Sequence, residues 1–187
     1  QFTFGCFSNT FKMTRGVLEC WSEIMLAIPH ASLFLKAASF SSFEAMERML
    51  IRFEEVGISR DRMILEGPSQ RELYLEAYHR VDIMLDTFPY PGGTTTCEAL
   101  WMGVPVLTLR GDTLLSRQGE GILKNAGLSD WVALDKRDYV NKAIRFVQDP
   151  DALLALKRSL RTNVEMSPLC DAKAFAQDFK ALMQQLV

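Results

Sequence analysis

Short apolar runs alternate along the chain with longer stretches of helical periodicity. Residues 2–7 read as a first strand. Leu18, Trp21 and Met25 then recur at helical spacing and predict a helix over 14–28, closed by Pro29. Residues 32–35 predict a second strand. Ser41-x-x-Glu44 has the form of a capping box and opens a helix that stops at Gly57. Residues 63–65 form a short third strand, and Ser69-x-x-Glu72, a second capping box, opens a helix reaching about residue 79. A fourth strand covers 81–86, followed by a Pro/Gly/Thr loop, a short helix over 97–102 ended by Gly103, and a fifth strand over 104–109. A helix over 116–125 with Gly127 past its end leads to a sixth strand over 131–134. Helices over 137–147, 151–163 and 172–186 complete the chain.

Such alternation is the mark of an α/β protein with a mostly parallel sheet. The 187 residues suit one domain, 1–187, with a helical tail from about 137. Apolar residues at 48% and charged residues at 24% exclude disordered, collagen-like and disulfide-scaffold classes. A formal charge of −2 argues against a broad nucleic-acid or acidic-membrane surface. No apolar run approaches the ~20 residues of a membrane span. Cys6, Cys20, Cys97 and Cys170 are scattered, with no C-x-x-C pair, and read as reduced, buried thiols in a cytoplasmic protein. The chain begins at Gln1 and enters a strand at once, as expected of a piece of a longer protein.

The stretch 81–109 carries the chemistry. An apolar strand delivers the chain to a glycine-rich loop, and the loop opens a helix. Ligands of open parallel sheets bind beyond the carboxyl ends of the strands. A helix N-terminus offers unpaired N–H groups and about half a positive charge, which suits a phosphate. Gly92 and Gly93 allow close backbone approach, and Thr94, Thr95 and Thr96 add hydroxyl donors. The loop is neither a Walker A nor a G-x-G-x-x-G motif. Two readings stand side by side: a phosphate cradle, or a helix capped by Thr95-x-x-Glu98 with a turn that serves geometry alone. Glu98 likewise reads as a ribose acceptor or as the acid of that box.

The run Leu85-Asp86-Thr87-Phe88-Pro89-Tyr90-Pro91-Gly92-Gly93-Thr94-Thr95-Thr96-Cys97-Glu98, continuing to Val106, resembles the donor-site segment of the O-linked N-acetylglucosamine transferase family, plant SPINDLY-type O-fucosyltransferases included. Phe7-x-x-x-x-Lys12, Trp21-x-x-Ile24-x-x-x-Ile28-Pro29, the loop 111–117 and Ser167-Pro168-Leu169-Cys170-Asp171 extend the resemblance over nearly the whole chain. It implies the C-terminal half of a two-domain GT-B enzyme, with a Rossmann-like sheet and helices on both faces, usually preceded by tetratricopeptide repeats. Such enzymes move a sugar, here expected to be GlcNAc from UDP-GlcNAc, to Ser or Thr of proteins. They invert the anomeric centre and use neither metal nor other cofactor. The general base belongs to the N-terminal half, so this chain alone is expected to be inactive.

By the same resemblance, Thr94, Thr95 and Gly93 fall on the diphosphate loop. Lys12 falls on the lysine that stabilises the leaving group, and Asn9 on a phosphate-contacting glutamine. Pro68, Ser69 and Arg71 fall on the loop that reads base and ribose, Tyr74 on a histidine that packs on uridine, and Glu98 on the ribose-holding aspartate. Gly93 also replaces a histidine of the animal enzymes, which leaves the diphosphate more dependent on backbone N–H groups. Ala77 stands where those enzymes carry a base-contacting arginine.

Arg117 reads either as a second cation near the diphosphate or as a partner of Asp112. His30 and His79 read as helix-end charges rather than bases, Cys97 as buried packing, and Trp101 and Met102 as core. A non-catalytic nucleotide-sugar sensor and a UDP-sugar 2-epimerase are the alternative functions on the same fold.

Overall fold

The computed structural model describes residues 1–185. Its strands are β1 (Thr3–Cys6), β2 (Ser32–Lys36), β3 (Met63–Glu66), β4 (Ile83–Leu85), β5 (Val106–Leu109) and β6 (Val132–Ala133). Between them lie α1 (Arg15–Ala27), α2 (Phe43–Glu54), α3 (Arg71–Glu76), α4 (Thr94–Trp101) and α5 (Gln118–Asn125). Three helices follow β6: α6 (Lys136–Gln148), α7 (Pro150–Glu165) and α8 (Ala172–Gln184). The strands form one six-stranded sheet in the order β3-β2-β1-β4-β5-β6, every pair parallel.

That order is Rossmann-like. The chain winds outward from β1 through β2 to β3, then returns to β4 on the other side of β1 and winds the opposite way. Right-handed crossovers therefore place α1 and α2 on one face and α3, α4 and α5 on the other. The reversal leaves a crevice between the carboxyl ends of β1 and β4.

The apolar runs become strands covered on both faces, as a parallel sheet requires. Every residue of β2 is buried, Lys36 included, whose ammonium is satisfied by Glu66 Oε2 at 3.2 Å and the Gly67 carbonyl at 3.0 Å. Trp21 of α1 is fully buried, stacks on Phe53 of α2, and donates its Nε1–H to the Tyr139 hydroxyl of α6 at 3.2 Å. α6 buries Tyr139, Val140 and Ala143, α7 packs on α4, and α8 buries no residue. Leu186, included in the last predicted helix, lies outside the described residues.

Several local expectations are corrected. Neither capping box forms. Ser41 ends a 3-10 turn over Ala38–Ser41 that sinks Phe40 into the core, so α2 starts one step later, after Ser42. Ser69 stays in an exposed loop, and α3 follows Gln70 without a side-chain cap. Burial of Phe40 outweighs a cap contribution of about 1 kcal/mol. α4 starts at Thr94, with Gly93 as its N-cap, rather than at Cys97. Cys6 and Cys20 are buried, but Cys97 and Cys170 are exposed. Trp101 is 37% exposed and lies under the Arg161 guanidinium, 4.7 Å from the ring centroid, and Met102 is half-buried. α4 spans little more than two turns, so residues past its buried face point outward.

Gly5 shows how tightly β1 is held at the crevice. A Cβ there would lie 2.7 and 2.8 Å from the Val81 methyls and 2.9 Å from Met84 Sδ. Gly5→Ala is expected to destabilise the fold by roughly 1–3 kcal/mol through overpacking. Urea unfolding checks this, and an unchanged midpoint would contradict it.

Candidate functional site

Two loops meet at the crevice. The loop after β1 closes as a 3-10 turn over Thr10–Lys12, capped by Asn9, whose Oδ1 accepts from Phe11 N at 3.0 Å. This turn aims Lys12 across the crevice. Its Nζ donates to the Pro91 carbonyl at 3.0 Å and lies 3.8 Å from the centroid of the Tyr90 ring.

The loop after β4 is organised by Asp86, only 4% exposed. Asp86 Oδ1 accepts from Thr87 N at 2.9 Å and Gly92 N at 2.7 Å, and Oδ2 accepts from Thr108 Oγ1 on β5 at 2.8 Å. The Asp86 carbonyl accepts from the Tyr139 hydroxyl at 3.0 Å, and Thr87 Oγ1 donates to the Tyr90 carbonyl at 2.8 Å. Gly92 has no room for a side chain, since a Cβ would lie 2.6 Å from both Thr95 Oγ1 and Thr96 Oγ1.

The chain then enters α4 with Gly93 as its cap, and Cys97 N makes the first helical bond, to the Gly93 carbonyl at 3.0 Å. The amides of Thr94, Thr95 and Thr96 precede that bond and point out of the helix end. Lys12, Gly93, Thr94 and Thr95 therefore gather at one edge, as the sequence predicts.

A second cluster lies one helical turn along α4. The Glu98 side chain is 12% exposed. Its Oε1 accepts from Arg71 Nη1 at 2.6 Å, and its Oε2 accepts from the Tyr74 hydroxyl at 3.2 Å and the Tyr78 hydroxyl at 3.4 Å. Glu98 caps nothing, which removes the capping-box reading. Tyr74 and Tyr78 pack edge-on, and Phe7 lies against both. Burial pushes the Tyr74 and Tyr78 hydroxyls up from their ordinary values, so both stay neutral donors.

Ala77 is buried, while Pro68 and Ser69 are exposed on the loop after β3. Arg117 does not pair with Asp112. Its Nε donates to the Gly111 carbonyl at 2.9 Å and lies 4.0 Å from Glu120 Oε2, because Glu120 sits one turn away on the same helical segment.

His30 and His79 are exposed and precede β2 and β4, so they lie at the amino ends of the strands, away from the crevice. Burial pushes the Cys6 thiol up to about 12 and also raises Cys97, so neither is activated as a thiolate. Among the described residues no group of three or more His, Cys, Asp or Glu could hold a metal ion, and no helix is long and apolar enough to cross a membrane.

Sequence reasoning missed Asp86 and Tyr90. The signal for Asp86 was a single acid ending an apolar strand before a Pro/Gly loop. Such an acid can be buried only if the loop's own N–H groups satisfy it.

The sheet order and this crest of loops are those of a Rossmann-like α/β domain. The chain belongs to glycosyl transferase family 41, whose model matches residues 2–179. It is 37% identical over 185 residues to a tomato (Solanum lycopersicum) protein called probable UDP-N-acetylglucosamine--peptide N-acetylglucosaminyltransferase SPINDLY, covering 98% of this chain and 20% of that protein. It is 26% identical over 180 residues to the Caenorhabditis elegans UDP-N-acetylglucosamine--peptide N-acetylglucosaminyltransferase, covering 96% of this chain and 15% of that one. Among solved structures, a mutant O-GlcNAc transferase of Thermobaculum terrenum superposes with a TM-score of 0.90 at 34% identity, covering 97% of this chain and 36% of that one. The Anabaena protein HepE, in complex with UDP and glucose, shares the fold at 13% identity and a TM-score of 0.65, covering 97% of this chain and 48% of that one. The chain thus spans about a fifth of the tomato relative's length.

Burial pushes the Asp86 carboxyl up to about 6, against the lowering effect of its three hydrogen bonds. A carboxyl raised on folding binds its proton more tightly in the native state. Its contribution to stability therefore falls as pH rises from about 4 to about 6 and then levels off. Asn at this position keeps an acceptor for Gly92 and Thr87 and can donate to Thr108. The wild-type chain is expected to lose stability relative to Asp86→Asn as pH rises through that window. Denaturant titrations at several pH values check this, and a constant difference would contradict it.

Proposed function

We propose that this chain is the C-terminal, nucleotide-sugar-binding half of a metal-independent, inverting glycosyltransferase that moves GlcNAc from UDP-GlcNAc to Ser or Thr of proteins. The observation that carries the reading is the convergence of the Lys12 ammonium with the N-terminus of α4 at the switch point of the sheet. The family membership and the names of the relatives support GlcNAc as the sugar, UDP as the nucleotide and a protein as the acceptor.

In this reading the diphosphate lies over Gly93, Thr94 and Thr95, held by outward-pointing amides and hydroxyls. Lys12 exchanges its bond to Pro91 for the phosphate oxygens. Departure of the nucleoside diphosphate builds negative charge on those oxygens, and fixed donors with a nearby cation stabilise it without a metal. Asn9 holds the Lys12 turn and offers its amide nitrogen to the same phosphates. Glu98 accepts from the ribose hydroxyls, Tyr74 offers its ring to the base, and Arg71, with Pro68 and Ser69, borders the nucleoside. Arg117 adds positive charge farther along the edge.

The remaining parts are proposed to lie outside this chain: an N-terminal half that supplies the general base and acceptor groove, and tetratricopeptide repeats. The chain alone then binds the donor without turning it over, in a cytoplasmic enzyme.

Calorimetric titration with UDP tests the site. Lys12→Ala is expected to weaken binding by roughly ten- to a hundredfold, the worth of a hydrogen bond to a charged group. Thr95→Ala is expected to weaken it by about fivefold, with the far-ultraviolet circular dichroism of both variants unchanged. Wild-type affinity in both variants would make the glycine/threonine loop a structural feature only.

A further inference from the structure

Gln118 is the first residue of α5. A Cβ built on Gly93 would lie 2.8 Å from Gln118 Nε2, 3.2 Å from its Cδ and 3.4 Å from its Oε1. The carboxamide of Gln118 therefore occupies the space that a side chain at position 93 would fill, beside the cap of α4. Among the described residues it makes no hydrogen bond, and it is exposed. Its neighbours on the same segment are all engaged: Ser116 with Thr113, Arg117 with the Gly111 carbonyl, and Glu120 with Lys124.

The placement is firmly set. Behind Gln118, a Cβ on Gly119 would lie 2.3 Å from Thr108 Oγ1 and 3.1 Å from Asp86 Oδ2. The start of α5 thus rests on the same Thr108–Asp86 pair that pins the glycine-rich loop. One buried contact sets the positions of both helix starts, and the amide spans the gap between them.

We propose that Gln118 is a further binding residue of the donor site, whose Nε2–H donates to the diphosphate of the bound nucleotide. This rests on the donor-site reading above. The absence of a side chain at Gly93 therefore does not leave the diphosphate to backbone N–H groups alone. A neutral amide reaches in from α5 to the same place. It adds a directed donor without adding charge, and in the unliganded chain water satisfies it, so donor binding exchanges one hydrogen bond for a better one.

The test is calorimetric titration of UDP into the wild-type chain, Gln118→Ala, Gln118→Glu and Lys12→Ala. Gln118→Ala is expected to weaken UDP by roughly three- to tenfold, the worth of a typical net hydrogen bond at an exposed position. Gln118→Glu is expected to weaken it further, because it sets a carboxylate against the phosphates. Thermal melting of each variant confirms that it folds, which an exposed position makes straightforward. Affinities for both Gln118 variants within twofold of wild type, with Lys12→Ala impaired, would overturn the role of Gln118 and leave the donor site standing. A wild-type chain that binds no UDP would overturn the donor site and this inference together.

Discussion

The structure depends on one buried carboxylate. Burying an ionised group without partners is far costlier than a single domain's margin of stability. Donors from the loop it begins, at Thr87 and Gly92, and from the next strand, at Thr108, offset much of that cost for Asp86. Each of these bonds also sets a position. Gly92 N fixes where the loop turns into α4, Thr108 fixes β5 against β4, and the fit of Gly119 over Thr108 fixes the start of α5. The core reaches the same point from the other face, through Trp21 to Tyr139 and from Tyr139 to the Asp86 carbonyl. The edge proposed to receive the nucleotide is therefore a continuation of the core rather than a mobile loop on top of it.

Topology adds the second requirement. Lys12 and the α4 N-terminus are far apart in sequence and meet only because β1 and β4 are neighbours at the reversal of winding. The Lys12 bond to the Pro91 carbonyl, |i−j| = 79, closes that gap across the crevice. One turn along α4 the same logic holds for Glu98, which gathers Arg71 and Tyr74 of α3 and the following Tyr78 around a single carboxylate.

The strands, their parallel arrangement and the glycine/threonine loop were legible because apolar runs, helical spacing and Pro/Gly punctuation are local signals. The capping boxes were not. The spacing Ser-x-x-Glu is present at both sites, but burial of Phe40 moved one helix start, and at the other Ser69 stayed in an extended loop. The start of α4 was misplaced because three β-branched threonines read as loop, although Gly93 caps them into a helix. Asp86 was invisible as a site residue because the partner that completes its shell, Thr108, is 22 residues away on another strand. Gln118 was invisible for the same reason: its meaning comes from lying against Gly93, and no local pattern carries that. Lys12 was singled out through a resemblance and Glu98 by its place after the glycine-rich loop, and the geometry then supplied what sequence could not, the partner each one holds.

The central claim is that a nucleoside diphosphate sits where the Lys12 turn, the cap of α4 and the start of α5 converge. The most direct measurement is amide chemical-shift mapping of the isotopically labelled chain during a UDP titration. The account predicts that the largest changes fall on Gly92, Gly93, Thr94, Thr95 and the 3-10 turn at Lys12, with smaller ones at Arg71, Tyr74 and Gln118. Changes centred elsewhere, with Gly93, Thr94 and Thr95 unmoved at saturation, would contradict it.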